Sequence, residues 1–216
     1  MRIAATALLT LGLIAGAARA AETPAIAGDP AAGAAKAATC TACHGVNGNS
    51  VTPEWPVIAG QGAAYVRDQV RRIRDGQRPS PLMQPMVKDL TDQDIADLAA
   101  HFSVQTPNGQ EADPSYWAEG QKLYRFGDAA RGIPACAACH GPNGRGIPAA
   151  GYPALQAQHS VYTMKQLDDY AAGVRYNKDA QGRSMGSPNA EIMATIAQRL
   201  TAEDRRNLAS YIQGMR

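Results

Sequence analysis

The pentapeptide Cys-X-X-Cys-His occurs twice, as Cys40-Thr41-Ala42-Cys43-His44 and as Cys136-Ala137-Ala138-Cys139-His140. Two thiols three positions apart can each add to one vinyl group of a single porphyrin while the next residue brings an imidazole to the iron, so the pattern reads as c-type haem attachment. The chain has four cysteines and the two motifs use them all, which weighs against a zinc cluster or a thioredoxin-like redox pair. Two covalent haem c groups are therefore expected, held through Cys40, Cys43, Cys136 and Cys139, with His44 and His140 each supplying one axial ligand.

The surroundings of the two motifs also repeat. CTACHGVNGNS is matched by CAACHGPNGRG, Trp55-Pro56-Val57-Ile58 by Tyr152-Pro153-Ala154-Leu155, and Tyr65-x-x-x-Gln69 by Tyr162-x-x-x-Gln166. Leu90-Thr91-Asp92-Gln93-Asp94 is matched by Leu200-Thr201-Ala202-Glu203-Asp204. Order and spacing are kept, so the chain is a tandem duplication of one domain, with residues 21–107 as the first copy and 108–216 as the second. The offset grows from 97 at the Tyr/Gln segment to 110 at the last repeat, which places a 13-residue insertion in the second copy, over Asn177 to Asn189. Gln105 to Pro114, rich in proline, glycine and polar residues, reads as the linker.

Periodicity makes both copies all-α. Ala63 to Arg74 and Val161 to Ala172 read as helices closed by Gly76 and Gly173. The last helix of each copy begins at a capping box, Thr91-x-x-Asp94 or Thr201-x-x-Asp204. Its inner face is Ile95, Leu98, Ala99 and Phe102 in one copy and Leu208, Tyr211, Ile212 and Met215 in the other. A first helix leads toward each motif through Gly33 or Gly120, where the missing side chain allows close crossing with the last helix. Copies of about 85 to 110 residues with only two Phe in the chain are marginal on side chains alone, so a porphyrin is needed as part of each core.

The N-terminus has a basic start at Arg2, an apolar stretch from Ala4 to Ala18 and the small-residue ending Ala18-Arg19-Ala20. That is the pattern of a secretory signal peptide over residues 1–20, too short and too rich in Ala and Gly for a membrane span. It assigns the protein to the periplasm, with at most peripheral membrane association. Removing Arg2 and Arg19 leaves 19 basic and 19 acidic side chains. They divide as 7 basic against 9 acidic before residue 108 and 12 against 10 after it, too even for a nucleic-acid partner.

For the sixth iron ligand, His101 and His159 align with Tyr211 and Gly62 and read as surface or structural residues. Among the methionines, Met83 stands eight residues before Thr91 and Met193 eight before Thr201. Met86 aligns with Ile196 and reads as a core residue, and Met185 falls in the insertion. Met83 and Met193 are accordingly the candidate ligands. Histidine with methionine closes the iron, so such a centre moves electrons and leaves no position for a substrate. Pro56 and Pro153 either offer a backbone carbonyl to the second histidine nitrogen or shape a turn.

With these residues assembled, the chain resembles the dihaem cytochrome c4 family, two tandem class I cytochrome c domains each wrapped around one covalent haem. The resemblance extends to Ala59-Gly60-Gln61-Gly62, Gln156-Ala157-Gln158-His159 and the Tyr211-Ile212-Gln213-Gly214 ending. It implies methionine ligands at Met83 and Met193, and Pro56 and Pro153 as acceptors of the histidine N–H. It further implies a non-enzymatic periplasmic carrier passing electrons from a cytochrome bc complex to a haem-copper terminal oxidase. The alternatives are a dihaem subunit of a dehydrogenase, such as a flavocytochrome that oxidises sulfide, and a dihaem peroxidase or thiosulfate-oxidising enzyme.

Overall fold

The computed structural model describes residues 26–216, so the leader assigned to residues 1–20 lies outside the described residues. Among the described residues the regular elements are helices, joined by loops that hold three isolated β-bridges. The first half contains α1 (Pro30–Lys36), α2 (Ala38–His44), α3 (Ala63–Arg74), the single turn α4 (Gln84–Val87) and α5 (Asp92–Ser103). The second contains α6 (Trp117–Phe126), α7 (Ala137–His140), α8 (Ser160–Ala171), α9 (Pro188–Ala197) and α10 (Ala202–Gln213).

Both last helices start as the sequence dictates. Thr91 and Thr201 accept from the backbone N–H of Asp94 and Asp204, whose carboxylates return to the threonine N–H groups at 2.9 Å and 2.8 Å. Each then crosses the first helix of its half at a glycine. A Cβ on Gly33 would lie 2.1 Å from the Asp97 carbonyl oxygen, and one on Gly120 would lie 1.9 Å from that of Asn207. The crossing is therefore backbone against backbone, which only glycine permits. In the first half a buried carboxylate reinforces it. Asp97, 3% exposed, accepts from the Asp29 N–H at 2.9 Å and from Lys36 Nζ at 2.6 Å.

The apolar interior is small. In the first half Ala37, Leu98 and Phe102 form a cluster flanked by Cys40, Ile58 and Leu90, with Val66, Ile73, Val87 and Ile95 buried as well. In the second it is a larger group around Leu123, Tyr124, Ile133, Leu208, Tyr211 and Ile212, flanked by Cys136 and Leu155. Each cluster thus reaches the first cysteine of a motif. Met86 departs from its sequence reading: it is 56% exposed, because the single turn of α4 directs Val87, 4% exposed, to the interior instead.

The connecting segment from Gln105 to Pro114 is tied down along its length. Asn49 Oδ1 accepts from the Asn108 N–H at 2.6 Å, Gln110 donates to the Ala157 carbonyl at 2.7 Å, and Ser210 Oγ accepts from the Asp113 N–H at 2.9 Å. The longer α8–α9 connection of the second copy also folds back on the first half. Asn177 donates from its backbone to the Gln77 carbonyl at 2.8 Å and from its amide to that of Gly76 at 2.6 Å, and Arg72 donates to the Met185 carbonyl.

Gly120→Ala should lower the unfolding free energy of the holoprotein by about 3 kcal/mol in denaturant titration, because a helix must move to admit one methyl. At Gly76 a Cβ would meet nothing within 4 Å and only the φ of 69° is strained, so Gly76→Ala should cost about 1 kcal/mol. The Asp29 N–H, Lys36 and Gln93 hold the Asp97 carboxyl down at about 2. Its contribution to stability is then complete above the unfolded-state value near 4 and lost as pH falls toward 2. Acid unfolding curves should show that loss, and Asp97→Asn should remove this pH-dependent part.

Candidate haem sites

Cys40, Cys43 and His44 occupy positions i, i+3 and i+4 at the end of α2 and so share one helix face. Cys136 precedes the single turn of α7, which carries Cys139 and His140. None of the four cysteines is paired with another. Burial pushes the Cys136 thiol up to about 11 and raises that of Cys40, consistent with neutral sulfurs set against apolar surroundings.

Immediately after each motif the chain turns back through Asn-Gly. The Gly48 carbonyl accepts from the N–H groups of Ile58 and Ala59 at 2.9 Å and 3.1 Å, and the Gly144 carbonyl accepts from those of Leu155 and Gln156 at 2.6 Å and 3.0 Å. Both glycines hold positive φ, 80° and 67°, where other L-residues are strained. This closure brings a proline loop over each histidine. His44 Nδ1 lies 2.9 Å from the Pro56 carbonyl oxygen and His140 Nδ1 lies 2.9 Å from that of Pro153. The carbonyl can only accept, so Nδ1 carries the proton and Nε2 keeps its lone pair. The imidazoles are 7% and 5% exposed, and burial lowers both pKa values, favouring the neutral form that binds metals.

Met83 immediately precedes α4 and Met193 lies within α9, and both are half-buried. His159 is buried with Nε2 2.9 Å from the Ser50 carbonyl oxygen, a structural tie between the halves.

A polar cluster at the junction of the halves is not evident as a site from the sequence. Arg78 donates across the junction to Tyr162 Oη at 3.2 Å and Gln166 Oε1 at 3.2 Å, and Arg175 donates to Tyr65 Oη at 3.0 Å. Tyr176 Oη and Arg78 Nη1 both donate to Gln69 Oε1, at 3.1 Å and 2.9 Å. The one signal for it is the repeat itself: Arg78 and Arg175 are separated by the same 97 positions that relate Tyr65 to Tyr162 and Gln69 to Gln166. Arg175 is 5% exposed, forms no ion pair with a carboxylate among the described residues, and its Nε and Nη1 lack partners there. A buried guanidinium with two orphan donors fits an anion. Haem carboxylates are such anions. Together with the paired thiols, the free Nε2 atoms and the small apolar clusters, the residues present fit two porphyrins.

Comparison with known proteins gives the same answer. The family described as Cytochrome c matches residues 30–103 and again 117–216. The chain is 45% identical over 208 residues to cytochrome c4 of Pseudomonas aeruginosa, covering 96% of each protein. It is 33% identical to a thiosulfate dehydrogenase electron acceptor of Thiomonas intermedia, covering 84% of this chain and 81% of that protein. The crystal structure of reduced recombinant cytochrome c4 from Pseudomonas stutzeri superposes with a TM-score of 0.80 at 42% identity, covering 88% of this chain and all of that one.

Arg175→Met keeps the length of the side chain and removes its charge. A cation beside a haem favours the reduced iron, so the variant should shift at least one haem toward the oxidised form by about 1 kcal/mol or more in a spectroelectrochemical titration. Unchanged potentials at both haems would show that Arg175 faces neither porphyrin.

Proposed function

The chain belongs to the cytochrome c family, as a dihaem electron-transfer cytochrome of the c4 kind with one covalent haem c in each half, and on that premise we propose that it is a periplasmic carrier with both irons closed by histidine and methionine. His44 and Met83 would hold the iron in the first half and His140 and Met193 in the second, with Cys40, Cys43, Cys136 and Cys139 attaching the porphyrins as thioethers. The observation that supports this reading is the matched register: each half has a buried imidazole oriented by a proline carbonyl and a half-buried methionine eight residues before an identical helix cap.

The chemistry follows from closure. A bound haem would supply a one-electron couple, and ligation by Met83 or Met193 together with a histidine would favour its reduced state. The chain's own residues fix the rest. Pro56 and Pro153 hold the imidazole tautomers, raising ligand basicity. Iron held by these histidines and methionines would leave no position for a substrate, so the protein would exchange electrons with partner proteins.

Residues 1–20 direct export, which places the carrier in the periplasm, and no described helix is long and apolar enough to cross a membrane. The partners are a cytochrome bc complex as donor and a haem-copper oxidase as acceptor. The likeness to a thiosulfate dehydrogenase electron acceptor favours a second reading, in which a dehydrogenase is the donor. Co-purification of a dehydrogenase would distinguish the two.

Met83→Ala and Met193→Ala should each remove about half of the sulfur-to-iron charge-transfer band and lower one of the two potentials, while Met86→Ala and Met185→Ala leave the band intact. Loss of the band in either control would overturn the ligand assignment. The reduced wild-type protein should bind carbon monoxide poorly and the oxidised protein should show negligible peroxide turnover. Stoichiometric carbon monoxide binding at one haem with peroxide or thiosulfate turnover would make the protein an enzyme.

A further inference from the structure

Gln61 and Gln158 occupy equivalent places in the two copies and exchange hydrogen bonds across the junction in a crossed pattern. Gln158 Oε1 accepts from the Val57 N–H at 2.9 Å while its Nε2 donates to the Val57 carbonyl at 2.8 Å. Gln61 Oε1 accepts from the Ala154 N–H at 2.8 Å while its Nε2 donates to the Ala154 carbonyl at 2.9 Å. The orientation of each amide is fixed by its neighbours. The His159 N–H also meets Gln158 Oε1, and the Gly62 N–H meets Gln61 Oε1, both at 3.1 Å, so these atoms must be the oxygens. Both glutamines are 8% exposed.

The targets of these amides matter more than their number. The N–H of Val57 and the carbonyl of Pro56 are the two ends of one planar peptide unit, as are the N–H of Ala154 and the carbonyl of Pro153. Those carbonyls are the acceptors of His44 Nδ1–H and His140 Nδ1–H. A continuous chain of hydrogen bonds therefore runs from Gln158 in the second half through one peptide plane to His44 in the first, and its mirror runs from Gln61 to His140. Holding the N–H end fixes the plane, and accepting from it polarises the carbonyl at the other end toward a stronger acceptor. A stronger acceptor makes the imidazole a more basic ligand, which favours ferric iron.

We propose that Gln61 and Gln158 are crossed positioning residues, each tuning the reduction equilibrium of the haem in the opposite half. The proposal rests on His44 and His140 being iron ligands. It makes docking of the halves a determinant of potential in addition to shape, so that each haem reports on the neighbouring domain.

The test is a redox titration of the full-length dihaem proteins carrying Gln158→Ala or Gln61→Ala. The two haems are followed separately by paramagnetic NMR, assigned through contacts to Cys40 and Cys43 or to Cys136 and Cys139. Gln158→Ala should raise the reduced-to-oxidised ratio at fixed potential about two- to tenfold at the haem attached through Cys40 and Cys43, the worth of one hydrogen bond. The other haem should move less, and Gln61→Ala should give the reverse pattern. A shift confined to the variant's own half, an equal shift at both haems, or none at all would overturn the proposal. Where an alanine variant fails to load two haems, Gln158→Met or Gln61→Met is scored by the same rule, since methionine keeps the packing and removes all three of the amide's hydrogen bonds. If the wild-type spectrum lacks two histidine-ligated low-spin haems, the ligand reading fails before any glutamine is changed, and the relay falls with it.

Discussion

In each half of this protein an apolar cluster gathers beside the first cysteine of the haem motif. In the first half three buried residues, Ala37, Leu98 and Phe102, meet beside Cys40, and in the second a somewhat larger group ends at Cys136. Everything around them prepares a wall for a flat ligand to complete: helices that cross backbone to backbone at Gly33 and Gly120, and loops turned back at Gly48 and Gly144. The haem thus completes the core as well as serving as cofactor, and covalent attachment keeps it there. Domains this small gain stability from such a ligand in proportion to how much of their interior it supplies.

The junction of the halves is built on polar contacts. Arg78 and Arg175 cross to tyrosines of the opposite copy, Gln61 and Gln158 exchange amide pairs, and the longer α8–α9 connection reaches back to Gln77. Buried polar contacts of this kind contribute little net stability each, but they are costly to leave unmade, so they select one relative arrangement. A carrier that passes electrons between two centres benefits from a fixed separation. The near two-fold repetition of these contacts is what duplication followed by docking would produce.

Much of this is legible in the sequence because it depends on local chemistry. Thr91 and Thr201 announce helix starts, the pentapeptides announce haem attachment, and segments repeated in the same order announce duplication. The close approach of helices at Gly33 and Gly120 is legible too, since a residue without a side chain at one register position of both copies marks a place where backbone meets backbone. The cross-junction contacts are not. Gln61 and Gln158 lie in repeated segments and Arg78 and Arg175 share the repeat offset, but a repeat shows that a residue recurs and not which copy it faces. Met86 departs from its expected core place because its partner in the alignment, Ile196, lies in the longer helix α9, whereas α4 is a single turn that exposes Met86.

The claim on which the account depends is that both irons are closed. The most direct measurement is the haem content of the purified oxidised protein together with its electron paramagnetic resonance and visible spectra. The account predicts two haems per chain, low-spin signals only, and a sulfur-to-iron band of two-haem intensity. A high-spin ferric signal at either centre, or a single haem per chain, would contradict it.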